Sequence, residues 1–148
     1  MLITERIEKD FILAYKNKES EKVAVLRLLK AAFKNKQVEQ RKELSDAEAL
    51  EVLIKEVKQR QESIRQYNEA RRNDLSVKEQ DELEIINAYL PKAFTVQEME
   101  SVAREVIQEL EVTDMKGMGM VMKTISQKYP GQTDGRQLST IVRQLLSS

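Results

Sequence analysis

The sequence predicts an all-α protein, with an N-terminal four-helix bundle-like unit followed by a small three-helix unit. Apolar residues recur at three- and four-residue spacings along most of the chain, which is the helical period. Three Ser or Thr residues are followed three positions later by Glu, the pattern of a helix-starting capping box. No segment reads as a strand. At 148 residues, 41% hydrophobic and 34% charged, the composition is typical of a globular helical protein.

Two helices are predicted upstream of Ser45, separated around Asn17–Ser20. The apolar positions of the first are Ile3, Ile7, Phe11, Ala14 and Tyr15. Those of the second are Val25, Leu26, Leu29, Ala32 and Phe33.

The capping boxes place three further helix starts near residues 46, 77 and 96. In each box the hydroxyl oxygen accepts a hydrogen bond from the N3 amide, and the Glu side chain accepts one from the cap amide. The helix that begins near residue 46 keeps its apolar period to about Arg72, a length of roughly 40 Å. The three pairs are Ser45 with Glu48, Ser76 with Glu79, and Thr95 with Glu98.

One edge of this long helix mixes hydrogen-bond donors, a hydroxyl and an aromatic ring. Such a mixture suits a binding interface, and the packing edge of a helical bundle would use the same residue types. The residues are Gln59, Arg60, Ser63, Tyr67 and Arg71.

A fourth helix carries Leu83, Ile86 and Leu90 and is predicted to stop at Pro91, because proline lacks an amide hydrogen and disfavours helical geometry before it. We therefore predict two domains, residues 1–91 and 92–148.

The second domain is predicted to contain three helices. The first begins near residue 96, and a short one follows around Met118–Lys128. Asp134 is a suitable N-cap for the last, which follows a turn containing Pro130 and two glycines.

The absence of Cys and His from the sequence excludes disulfides, thiolate nucleophiles, imidazole bases and most zinc sites. Carboxylates are then the realistic acid or base groups, and Asp46, Glu48 and Asp74 are the candidates. Capping explains Glu48, and placement at helix ends explains the other two. We therefore predict no catalytic residue, no metal site and no cofactor, with independent catalysis as the less favoured alternative.

The N-terminal residues carry acidic side chains where a signal peptide would need a basic start, and the apolar runs are too short to span a bilayer. We therefore expect a cytoplasmic protein with no membrane partner.

The charge of the chain is zero in total, since Lys+Arg and Asp+Glu both number 25. It is uneven locally, because residues 22–42 hold seven basic residues against the single acid Glu39. Such a stripe can follow a phosphate backbone. Alternatively, acids of Asp46–Glu51 or Asp74–Glu84 lie against the stripe and neutralise it. Its predicted nucleic-acid contacts are Arg27, Lys30, Lys34 and Arg41.

The second domain has its own candidate site around Met115–Lys123, where two glycines lie at the entrance of a short helix. Free amides at a helix start favour an anion such as phosphate. Met118 and Met122 are predicted to be core residues. The predicted phosphate contacts, chosen on charge alone, are Lys116, Lys123, Arg136 and Arg143.

Several motifs resemble the GatB/YqeY family. The run Glu56–Tyr67 and the Tyr-Leu-Pro ending at Pro91 resemble YqeY-like proteins, whereas Met118–Met122 and Thr133–Gly135 resemble the tail that YqeY shares with GatB. GatB is the tRNA-handling subunit of the Glu-tRNA/Asp-tRNA amidotransferase. The motif positions carried over are Arg60, Ser63, Tyr67, Gly119, Asp134 and Gly135.

The resemblance implies a helical bundle joined to a GatB/YqeY-type tail domain and a link to tRNA. A family label of carbon–nitrogen ligase activity, with glutamine as amido-N-donor, would describe the larger amidotransferase complex. We therefore hold two main hypotheses: a tRNA-binding module, and an adaptor that docks on a translation or amidotransferase protein. The chain departs from the family at Met120 and Lys123, since members often have Lys within the Met-Gly-x-Val-Met motif and Gly directly after it.

Overall fold

The computed structural model describes residues 1–147, which are all-α and contain no strand. The predicted fold class is therefore confirmed. A short 3-10 helix, Met115–Gly117, precedes the sixth helix. The seven α-helices are α1 (Ile3–Lys16), α2 (Ser20–Gln40), α3 (Asp46–Glu69), α4 (Asn73–Asn87), α5 (Val96–Glu109), α6 (Met118–Lys128) and α7 (Gly135–Ser147).

The first four helices form one compact unit, Met1–Leu90. The helix α3 packs along α4, and α1 packs along α2. Tyr89 closes the core at the end of α4, where its hydroxyl donates a hydrogen bond to Asp10 Oδ2 at 2.5 Å. Burial and this hydrogen bond raise the pKa of the Tyr89 phenol. The buried core consists of Ile7, Val25, Leu26, Leu29, Phe33, Leu44, Ala49, Leu53, Ile86 and Tyr89.

The last three helices form a second compact unit, Pro91–Ser148. The amide of Phe94 donates to the Gln132 carbonyl at 2.7 Å, and Gln132 Nε2 donates to the Lys92 carbonyl at 3.2 Å, so residues 92–94 are fixed to this unit. Whether each unit folds as an independent domain stays a prediction. The buried core consists of Met99, Ala103, Val106, Val121, Ile125, Leu138, Ile141, Val142 and Leu146.

Two of the three predicted capping boxes are present. The hydroxyl oxygens of Ser45 and Thr95 accept hydrogen bonds from the amides three residues later, at 3.2 and 3.1 Å. Glu48 and Glu98 accept in return from the two cap amides, both at 3.1 Å. These backbone hydrogen bonds lower the pKa of both carboxyls.

The third predicted capping box, at Ser76, is wrong. The helix α4 begins earlier, at Asn73, so that Ser76 lies in its first turn, buried, with its amide donating to the Arg72 carbonyl at 3.1 Å. The preceding helix also ends at Glu69 rather than near Arg72. The cause is a tight reversal at residues 70–72, in which Arg71 adopts a left-handed φ of 56°.

The end of α4 also comes before its predicted position, at Asn87 rather than Leu90. The amides of Tyr89 and Leu90 donate to carbonyls three residues earlier, at 3.0 and 3.1 Å, which is the tighter 3-10 pattern. The residue before a proline disfavours helical geometry, so the helix closes in tight turns ahead of Pro91.

Tyr15 is one of the apolar residues whose spacing predicts α1, but it does not lie on the buried side of that helix. The buried positions of that helix are Ile7 and Ala14, which are seven residues apart and therefore on one side. Tyr15 is one position further round the helix, and 65% of its surface is exposed.

Candidate nucleic-acid interface

The solvent-facing side of α2 carries exposed cations. Arg27 and Lys34 are seven residues apart, and therefore lie on one side of the helix about 10 Å from each other. Arg41 follows at the C-cap, with a left-handed φ of 58°. Within residues 1–147, none of these three side chains forms an ion pair.

Lys30 differs from the other three, because it forms an ion pair with an acid of α1. Its Nζ lies 3.0 Å from Glu8 Oε2 and 4.1 Å from the centroid of the Phe11 ring. The neutralising acid therefore comes from α1. No acid in the two segments proposed for this role, residues 46–51 and 74–84, pairs with any of the four predicted contacts in the described part of the chain.

The acids considered for catalysis all have structural partners. Asp46 Oδ1 accepts a hydrogen bond from the Ile3 amide at 2.9 Å, at the start of α1. Glu48 caps α3, and Asp74 is hydrogen-bonded to Arg72, which lowers the pKa of that carboxyl. No group of three or more acidic side chains between residues 1 and 147 is arranged to hold a metal ion.

The second unit also exposes the four cations predicted there: Lys116, Lys123, Arg136 and Arg143. None of them forms an ion pair with another described residue. Lys128, in contrast, lies 3.1 Å from Glu109 Oε2, and this contact raises the pKa of the ammonium group. Arg136 and Arg143 are seven residues apart and share one side of α7.

The helix starts in this unit are less open to an anion than predicted. Asp134 Oδ1 accepts from the amides of Arg136 and Gln137, at 2.8 and 3.1 Å, which confirms its role as the cap of α7. Before α6, the amide of Lys116 donates to Asp114 Oδ1 at 3.0 Å, and that of Gly117 to the Asp114 carbonyl at 3.2 Å. The 3-10 turn therefore uses amides that the sequence left available for phosphate.

The glycines within and next to the tail motifs differ in their surroundings. A Cβ atom on Gly117 would lie 2.3 Å from Val112 Cγ1, so packing explains this glycine. A Cβ atom on Gly119 or Gly135 would meet nothing within 4 Å. No contact inside the described chain therefore requires glycine at either of these two motif positions.

We expect Gly117→Ala to lower the free energy of unfolding of the second unit by about 1–3 kcal/mol, the usual cost of overpacking. Gly119→Ala is the matched control and should leave it equal or slightly higher, since alanine favours helix. Urea denaturation followed by circular dichroism measures both. Equal stability of the two variants would contradict the packing role of Gly117.

The motif residues of α3 are not a surface cluster. Arg60 is only 8% exposed, with Nη1 2.8 Å from Glu56 Oε2 and Nε 3.6 Å from Glu82 Oε2 of α4. Ser63 and Tyr67 are half-buried on the same helix. This helix edge was interpreted either as a binding interface or as the packing edge of a bundle. Arg60 belongs to the packing edge, because its side chain connects α3 to α4. Spacing within the sequence shows the Glu56 partner but not Glu82.

Comparison with known proteins supports the family resemblance of the sequence motifs. A family model described as "Yqey-like protein" matches residues 4–146, which is nearly the whole chain. The chain belongs to the YqeY-like family. The predicted family is therefore confirmed, and the similarity of the second unit of this YqeY-like protein to the GatB tail stays a prediction.

The YqeY-like chain is also similar to a protein of Candida glabrata named "Altered inheritance of mitochondria protein 41, mitochondrial". The two are 27% identical over 112 residues, which cover 73% of this chain and 62% of the relative. The match thus spans less than two thirds of the relative. Among the described residues, no helix is long and apolar enough to cross a membrane. The cytoplasmic location stays a prediction.

Proposed function

We propose that this YqeY-like protein binds tRNA through exposed cations of α2 and of the second unit. The observation that supports the proposal is that Arg27, Lys34 and Arg41 are exposed and without ion-pair partners among residues 1–147. Cations of this kind release condensed counterions when they meet phosphates, which is the main source of affinity for nucleic acid. Recognition would then depend on the shape of the RNA rather than on base edges.

Some basic residues of the chain, unlike Arg27, Lys34 and Arg41, are already paired with acids. Arg65 contacts both Glu62 and Glu69, and Arg104 contacts Glu100 at 2.8 Å. A cation held in this way already has a negative charge beside it. A contact between that cation and a phosphate therefore contributes less binding free energy. The net charge of zero does not oppose the proposal, because binding to phosphates depends on the local arrangement of exposed cations and not on the total charge.

Charge removal tests the proposal. The variant Arg27→Gln, Lys34→Gln, Arg41→Gln should bind tRNA more weakly than the unchanged protein, and the slope of log K against log salt should decrease by about two to three. The matched control removes three paired cations instead, by Arg65→Gln, Arg72→Gln and Arg104→Gln. Fluorescence anisotropy with labelled tRNA at several salt concentrations measures both quantities.

A parallel variant measures how much the second unit contributes to tRNA affinity. It carries Lys116→Gln, Lys123→Gln, Arg136→Gln and Arg143→Gln. The proposal fails if tRNA does not bind at low salt, or if binding is insensitive to salt. It also fails if the variant with three paired cations removed loses as much affinity as the variant of α2.

A second candidate function is protein docking, and exposed methionines of the second unit favour it. Met118 and Met122 pack against the core, as predicted, whereas Met115 and Met120 are 42% and 58% exposed. Flexible, polarizable methionine side chains suit adaptable protein contacts. An adaptor for a translation-related protein would leave tRNA unbound in the anisotropy experiment, and so the same measurement separates the two candidates.

A further inference from the structure

A pocket of about 520 Å³ lies where α1 turns into α2, and its lining combines an exposed aromatic ring with two cations. Its volume is within the range of pockets that bind small molecules. No acidic side chain belongs to the lining, although Glu19 is part of the same turn. The lining residues are Tyr15, Lys18, Ser20, Val23, Ala24 and Arg27.

The aromatic ring of this pocket is unusually accessible. Tyr15 is 65% exposed, and its ring centroid lies 6.4 Å from that of Phe11, one helical turn earlier. The Phe11 ring is covered by two cations, with Arg27 Cζ at 5.7 Å and Lys30 Nζ at 4.1 Å from its centroid. No cation of the described chain lies over the Tyr15 ring, so its surface is available to a flat ligand.

The polar groups of the pocket favour an anion. Neither Lys18 nor Arg27 forms an ion pair with a residue between 1 and 147. The Ser20 hydroxyl forms no hydrogen bond within that range either. Two cations and a hydroxyl, next to the apolar side chains of Val23 and Ala24, match a ligand that is both ionic and aromatic.

We propose that this pocket holds one nucleotide, with its base stacked on Tyr15 and its phosphate bound by Lys18 and Arg27. The inference rests on the proposed tRNA binding and adds a single-stranded nucleotide to it, because Arg27 belongs to both the pocket and the exposed side of α2. Stacking on an aromatic side chain beside a cationic groove is how proteins hold unpaired nucleotides without reading their sequence. The nucleotide is either a residue of an RNA strand or a free mononucleotide.

Nuclear magnetic resonance of the full-length, ¹⁵N-labelled protein tests the site directly. Adenosine monophosphate, inorganic phosphate and a short single-stranded oligoadenylate are titrated in separate experiments. We expect the nucleotide and the oligonucleotide to shift the amide resonances of Ser20 and Ala24. Phosphate alone should shift them far less, because it cannot stack. Shifts from the oligonucleotide but not from the monophosphate would assign the nucleotide to an RNA strand.

Substitutions then separate stacking from charge. Tyr15→Leu should weaken oligonucleotide binding about tenfold, within the range found for stacked bases, whereas Tyr15→Phe should retain it. Lys18→Gln should weaken both the oligonucleotide and the monophosphate. The control is Leu13→Ala, since Leu13 is 55% exposed on α1 and does not line the pocket.

The outcomes distinguish this inference from the proposed function. If tRNA binds in a salt-dependent way and Tyr15→Leu has no effect, the pocket is not a nucleotide site and the α2 proposal stands. If phosphate shifts the pocket resonances as much as the nucleotide does, the site recognises an anion only and the inference fails. If neither tRNA nor the nucleotide binds, both proposals fail.

Discussion

Replacement of Arg60 by alanine is expected to lower the free energy of unfolding by about 3–5 kcal/mol, the usual cost of breaking a buried ion pair from one side. Arg60 is 8% exposed and lies between Glu56 of α3 and Glu82 of α4. The side chains of these two acids are only 15% and 22% exposed. Without the guanidinium, both carboxylates would remain in a poorly hydrated position and without an ion-pair partner among residues 1–147.

The geometry around Arg60 shows which contacts its replacement would remove. Nη1 donates to Glu56 Oε2 at 2.8 Å and to the Glu56 carbonyl at 3.3 Å, whereas the buried Nε atom has no hydrogen-bond partner within the described residues. The Nε contact with Glu82 is 3.6 Å, longer than a hydrogen bond. The attraction between the charges, rather than ideal hydrogen bonding, therefore joins the two helices at this point.

Urea denaturation of two variants separates charge from packing. Arg60→Met alone should be strongly destabilised, whereas Arg60→Met with Glu56→Gln and Glu82→Gln should recover much of the loss, because no uncompensated charge remains. Arg65→Ala is the control, since its contacts with Glu62 and Glu69 are at the surface and contribute little. An Arg60→Ala variant as stable as the Arg65→Ala variant would contradict the structural role.

A structural feature could be predicted from the sequence when the residues that determine it are close together in the chain. The capping boxes at Ser45 and Thr95 depend on residues three apart, and the sequence shows both partners. The same pattern at Ser76 was misleading, because the reversal at Arg71 starts α4 earlier than the box would. A capping motif thus predicts a helix start only when the preceding loop does not start the helix at an earlier residue.

The basic residues of the candidate site could be predicted from the sequence, but their ion-pair partners could not. The basic stretch of α2 is evident in the sequence, whereas the contact of Lys30 with Glu8 requires α1 to pack along α2, 22 residues away in the chain. The same reason hid Glu82 from any sequence argument about Arg60. The apolar spacing that predicts α1 includes Tyr15 but does not show that its ring is exposed. The pocket at the α1–α2 turn follows from that exposure, and therefore could not be predicted.

Replacement of Leu26 by alanine is expected to destabilise the unit Met1–Leu90 by about 2–5 kcal/mol, the usual loss for a fully buried leucine. Leu26 is completely buried in a core whose members all belong to that unit. The core of the second unit is likewise formed only by its own residues, and Val142 is completely buried there. If each unit is an independent domain, as the sequence predicts, unfolding of one should leave the other folded.

Native-state hydrogen exchange, which reports amides of both units at once, measures this separation. In Leu26→Ala, amides of α2 and α3 should exchange faster, and their free energy of opening should fall by the full loss of stability. Amides of α5 and α7 should keep their exchange rates. Val142→Ala should give the opposite result and is the matched control. Equal acceleration in both units by either substitution would mean that they unfold as one cooperative body, and the predicted division at Pro91 would then mark a change of packing and not a boundary between domains.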